Sequence, residues 1–107
     1  MFIKRQDAPV LPRFRNAVLD IYGNRVQRMV LYGSRARGEA RPDSDYDIAV
    51  FIKDLGTSAD ERRRRADVET DILYETGAVI NAMPYPAGAY EERTSLMREI
   101  RRDGIDL

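Results

Sequence analysis

Residues 48–52 read Ile-Ala-Val-Phe-Ile, five apolar side chains with no polar residue among them. Successive side chains of a strand point to opposite faces, so a run of this kind belongs to a strand buried on both faces at that end. The strand it belongs to opens at Tyr46 and reaches Lys53. A second buried strand is expected over Val26 to Tyr32, VQRMVLY, and stops at Gly33. A third is expected over Val79 to Tyr85, where Pro84 and Pro86 close it.

Elsewhere the apolar spacing is helical. Phe14, Val18 and Ile21 mark one face of a helix over Arg13 to Tyr22, with Pro9 and Pro12 suited to its start and Gly23 to its stop. Ser58, with Glu61 three residues on, has the form of a capping box. It predicts a helix from Ala59 to Glu75, turned inward through Val68, Ile72 and Leu73 and ended by Gly77. A last helix is expected from Gly88 to Arg102, with Leu96, Met97 and Ile100 inward and Gly104 as its cap. Residues 1–8 read as an arm or edge strand. The order helix, strand, strand, helix, strand, helix describes one α/β (α+β) domain over residues 1–107. Its expected form is a small mixed sheet with helices packed mainly on one face.

Composition narrows the chemistry. The chain has no Cys and no His, which excludes disulfides, thiolate sites, imidazole acid–base catalysis and most zinc sites. A metal would have to be held by oxygen, which points to magnesium or manganese. Net charge is zero, which speaks against direct nucleic-acid binding. The charge is uneven: residues 1–53 carry ten basic and six acidic side chains, a balance that suits a polyphosphate ligand. No apolar run is long enough to span a membrane and the first residues lack a signal-peptide core, so a cytoplasmic protein is expected.

Residues 31–51, LYGSRARGEARPDSDYDIAVF, hold the candidate site. Gly33 and Ser34 follow a strand, where glycine lets backbone approach a ligand and a turn into helix would leave N–H groups free for phosphate. Asp45 and Asp47 flank Tyr46 at the mouth of the next strand, and positions i and i+2 of a strand share a face. Two carboxylates so placed repel unless a cation joins them. Arg35, Arg37 and Arg41 lie between, and a guanidinium such as that of Arg37 could fork onto a triphosphate. A Gly-Ser turn or an Asp-x-Asp pair alone is commonplace; the ordered combination is specific.

Gly33-Ser34, Ala36-Arg37-Gly38 and Ser44-Asp45-Tyr46-Asp47 resemble the signature of the DNA polymerase beta-like nucleotidyltransferases. The wording Gly-Ser-Arg-Ala-Arg-Gly and the short chain resemble their minimal nucleotidyltransferase (MNT) branch. The resemblance implies transfer of a nucleoside monophosphate, AMP from ATP, to a hydroxyl acceptor with release of pyrophosphate. It implies Gly33, Ser34, Arg37 and Ser44 at the nucleotide, and Asp45 and Asp47 as catalytic ligands of two Mg2+ ions. Relatives carry a third carboxylate on a later strand, where this chain has Asn81, an amide that can ligate but cannot act as a base. Glu69, Asp71 and Glu75 on the preceding helix are the nearby acids in sequence.

Minimal nucleotidyltransferases often pair with a helical HEPN-type toxin and can adenylylate it as antitoxins, so the resemblance implies a protein partner. Self-association is another way to complete so small a site. Tyr85, Tyr90 and Met97 are candidate partner contacts, with core packing as the alternative. Two other functions stay open at this point. One is a weakly active or inactive subunit that binds nucleotide and partner, favoured by the missing carboxylate. The other is a small-molecule nucleotidyltransferase, disfavoured because the core is followed by no substrate-binding domain.

Overall fold

The computed structural model describes Lys4 and residues 7–107, so most of the arm expected over residues 1–8 lies outside the described residues. The elements are α1 (Leu11–Tyr22), β1 (Val26–Tyr32), the single turn α2 (Ser34–Arg37), β2 (Tyr46–Ile52), α3 (Ala59–Thr76), β3 (Ile80–Pro86), α4 (Ser95–Asp103) and β4 (Ile105–Asp106). Short 3₁₀ turns at Gly23–Arg25 and Ala87–Glu91 join α1 to β1 and follow β3. The sheet is mixed, with strand order β3-β2-β1-β4. β1 pairs antiparallel with β2 and β4, and β2 pairs parallel with β3.

The five-residue apolar run lies in an inner strand. Ile48, Ala49, Phe51 and Ile52 are wholly buried and Val50 nearly so. Ile48, Val50 and Ile52 face one core with Phe14 and Val18 of α1 and Ile72 of α3. Ala49 and Phe51 face a second core with Met97 and Ile100 of α4. The two longer helices thus share one face, as expected, and α4 with the Ala87–Glu91 turn covers the other. Each fully buried side chain of this size stabilises the fold by about 1.5–3 kcal/mol.

β3 shows how sequence shapes an edge. The Tyr46 N–H donates to the Val79 carbonyl at 2.9 Å. In a parallel pair this sets residues 81, 83 and 85 to bond toward β2 and residues 80, 82, 84 and 86 to face the open edge. Pro84 and Pro86 therefore lack an N–H where no ladder needs one, and they blunt the edge against further pairing.

The helices differ from expectation in detail. The Ser58 side chain accepts from the Glu61 N–H at 3.2 Å, but the Glu61 carboxylate pairs with Arg25 at 2.7 Å instead of reaching back, so half the capping box forms. Leu73 and Leu96, expected inward, are exposed at 45% and 36%. α3 and α4 each bury a narrower stripe than the spacing suggests. The last helix does not begin at Gly88: a 3₁₀ turn comes first, and Thr94 caps α4 by accepting from the Met97 N–H at 3.1 Å. Tyr85 and Tyr90 are half-buried and pack on Phe51, with ring centroids 5.7 and 5.3 Å away, and Met97 is buried, so core packing accounts for Met97 and for the inner side of both tyrosines.

Gly104 closes α4 by donating its N–H to the Ile100 carbonyl at 2.9 Å and then turns the chain into β4, a strand too short to read from sequence. Its backbone is extended, at φ −68°, so glycine is needed for space and not for conformation. An added Cβ would meet Ile100 O and Val30 Cγ1, both at 2.3 Å. Gly104→Ala is expected to cost about 1–3 kcal/mol in urea unfolding. Gly56→Ala, where nothing lies within 4 Å, should stay near neutral.

Candidate active site

Strand register gathers the site. Tyr32 on β1 lies opposite Asp47 on β2, and Asp47 lies opposite Asn81 on β3. Alternation along β2 puts Asp47 on the same face as Ala49 and Phe51, the face covered by α4. Asn81 Nδ2 donates to Asp47 Oδ1 at 3.2 Å. The other oxygen, Oδ2, faces the bend: a Cβ added to Gly33 would lie 2.6 Å from it. Gly33 is buried at φ +74°, a conformation that L side chains rarely adopt. Two separate constraints, backbone and space, therefore require glycine here.

The Gly33 carbonyl accepts from the N–H groups of both Ala36 and Arg37 at 3.1 Å. The first two N–H groups of the turn, those of Ser34 and Arg35, stand ahead of this bonding. Asp45 sits one residue before β2 and is exposed, while Asp47 is half-buried. Between them, Tyr46 turns its side chain into the α1–α3 core and donates to Asp7 Oδ1 at 2.8 Å.

The remaining expected residues are placed differently. Arg37 is paired with two carboxylates, Glu39 at 3.4 Å and Glu99 at 3.7 Å. Ser44 Oγ accepts from the Arg41 N–H at 2.9 Å and so holds its own turn. Glu69 lies beside the Ala82 amide, and Ala82 belongs to the face away from Asp47. Burial raises the Glu69 carboxyl above its ordinary range, with the Ala82 amide and Arg65 pulling it back. Asp71 is exposed, and Glu75 bonds Arg13 at 2.9 Å.

Two residues that sequence reasoning passed over adjoin the site. Glu99 comes in from α4 to meet Arg37. Tyr32 titrates late: burial, then Tyr85, Asp47 and Glu99, push its phenol up to about 12. The hydrophobic pattern of VQRMVLY hid Tyr32 among core residues, and the helical face of α4 gave no hint of Glu99.

Asp45 and Asp47 suit a small hard cation: both are oxygen donors, Asp45 exposed and Asp47 half-buried. Among the described residues no group of three or more Asp or Glu is placed to hold a metal. One or two carboxylates plus substrate phosphates is the usual magnesium set, so the protein's share is adequate.

A mixed sheet with a glycine bend and strand-mouth acids at one end defines a class of α/β domain that handles phosphoryl groups. Comparison with known proteins makes this specific. Residues 11–100 match the family described as "Nucleotidyltransferase domain". Two Methanocaldococcus jannaschii proteins assigned as protein adenylyltransferases are similar. One is 26% identical over 103 residues, covering 92% of this chain and 95% of the relative. The other is 33% identical over 73 residues, covering 68% and 67%.

Solved structures agree in fold. One described as a minimal nucleotidyltransferase has a TM-score of 0.61 at 23% identity, covering 97% of each chain. A chain of a toxin–antitoxin crystal with AMP-PNP has a TM-score of 0.62 at 18% identity, covering 91% of this chain and 72% of that one. A chain of the tri-AMPylated Shewanella oneidensis HEPN toxin in complex with its MNT antitoxin has a TM-score of 0.54 at 15% identity, covering 94% and 67%. The chain belongs to the nucleotidyltransferase domain family and is a nucleotidyltransferase.

Gly33→Ala is expected to lower stability by about 1–3 kcal/mol in urea unfolding, from backbone strain and from displacing Asp47. At high pH a different loss is expected. Tyr46, like Tyr32, is pushed up to about 12, by burial and by its bond to Asp7. The unfolded chain releases these protons near the ordinary 10.0, while the folded chain keeps them. The stabilisation is whole below that value and falls as pH rises toward about 12. Ultraviolet titration should show Tyr32 and Tyr46 ionising late, and Tyr46→Phe should remove one of these two late steps.

Proposed function

We propose that this nucleotidyltransferase transfers AMP from ATP to a hydroxyl on a partner protein, a helical HEPN-type toxin for which it acts as antitoxin. The observation that carries the reading is the close approach of Gly33 to Asp47, which sets the glycine bend beside a strand-borne acid. The names of the two archaeal relatives support AMP transfer to protein. The toxin–antitoxin complexes that share the fold support a partner of HEPN type.

In this reading Gly33 and Ser34 hold the triphosphate through backbone N–H groups and the Ser34 hydroxyl. Asp45 and Asp47 would hold magnesium, which when bound would supply charge neutralisation for the triphosphate and the departing pyrophosphate. The acceptor oxygen bonds to the α-phosphorus, the bond from that phosphorus to the bridging oxygen of the β-phosphate breaks, and pyrophosphate leaves. Asn81 aligns Asp47 by its 3.2 Å hydrogen bond and cannot take the acceptor's proton. The proton therefore departs to solvent or through Asp47, and turnover is slow. A second reading, a subunit that binds nucleotide and partner without transfer, is favoured by this same amide.

The readings separate by experiment. Titration calorimetry with ATP and Mg2+ should register binding that Asp45→Asn/Asp47→Asn abolishes in a folded chain; equal affinity in both would defeat the site. With labelled ATP and the partner, transfer should be lost in that double variant. Asn81→Asp, which restores a carboxylate, should raise the transfer rate about 10²-fold, the lower range for a positioned general base. Tight complex formation with no label from either the native chain or Asn81→Asp selects the second reading.

A further inference from the structure

Arg35, read from sequence as a surface or phosphate-facing charge, is 6% exposed. Its Nε and Nη2 donate to the Ser44 carbonyl at 3.0 and 2.7 Å, and Nη2 also donates to the Pro42 carbonyl at 3.3 Å. Nη1 donates to Asp7 Oδ1 at 3.2 Å, and Asp7 is itself 3% exposed. The guanidinium carbon lies 3.9 Å from the centre of the Tyr46 ring, and the Tyr46 hydroxyl bonds the same Asp7 oxygen. The charge is thus paired, stacked and bonded, as a buried guanidinium must be.

Its place in the chain gives this cluster meaning. Arg35 follows Ser34 directly, and the carbonyls it gathers belong to the segment leading into Asp45. The other bonds of residues 40–45, Arg41 N–H to Ser44 Oγ and Ser44 N–H to the Arg41 carbonyl, stay within the segment. Among the described residues, every hydrogen bond from residues 40–45 to the rest of the chain is made by Arg35.

We infer that Arg35 is a positioning residue that sets the gap between the Gly33–Ser34 bend and Asp45, anchored from beneath by Asp7. It touches no substrate; it acts through the loop. The catalytic meaning rests on the proposed nucleotide site, whereas the mechanical claim stands on the network alone. Lysine keeps the charge and the Asp7 pair but cannot fork onto the carbonyls.

Hydrogen–deuterium exchange on the full chain tests it. In Arg35→Lys, the bonded amides of Arg41 and Ser44 should exchange about tenfold faster with the sheet amides unchanged. Exchange unchanged in the segment, or raised uniformly along the chain, overturns the inference. If that variant is too unstable to measure, Asp7→Asn, which keeps the shape and weakens the anchor, should speed the same amides about threefold; no change there overturns it equally. Calorimetry with ATP should show Arg35→Lys needing about tenfold more Mg2+ than the native chain, a shift that mere loss of stability does not produce. A native chain that fails to bind ATP with Mg2+ removes the nucleotide reading, while the exchange result still decides what Arg35 does.

Discussion

β2 is enclosed on four sides: β1 and β3 pair its edges, α1 and α3 cover one face, and α4 covers the other. A one-residue slip would turn Asp47 into the α1–α3 core and move Ile48 out of it to the opposite face, so register is held by the burial of the run. The acids at the mouth of β2 inherit that fixity. A carboxylate on such a strand reorganises little when a charged ligand arrives, which is where electrostatic catalysis gains its advantage.

Charge in this molecule divides by burial. The arginines of α3 from Arg62 to Arg65 make surface contacts such as Arg63 to Asp60 at 2.7 Å, and exposed pairs of this kind contribute little. Arg35 is the opposite case. Among the described residues, removing it would leave the buried Asp7 carboxylate with the Tyr46 hydroxyl as its one side-chain partner, a costly arrangement.

The pairing of Asp47 with Asn81 instead of a third acid has two electrostatic effects. The site carries less like-charge repulsion when empty of cations, and it offers no second carboxylate on β3 to draw the acceptor's proton. Glu99 on α4 does not replace it, because it is spent on Arg37.

Local pattern was enough to read the three main strands, the positions of α1 and α3, and the approach of Gly33 to Asp47. Strand alternation, glycine at a bend and paired carboxylates are rules of near neighbours in sequence, and the resemblance carried by residues 31–51 rests on the same short stretch. What tertiary structure alone decided depends on residues distant in the chain. Arg35 is buried because Asp7 and Tyr46 close around it, and no periodicity in a four-residue turn could reveal that. β4 exists only because β1 has a free edge and Gly104 a tight corner. The faces of α3 and α4 narrowed because a small sheet covers only part of a helix. Sequence sets what each segment can bury, and the folded whole decides which of those surfaces finds a partner.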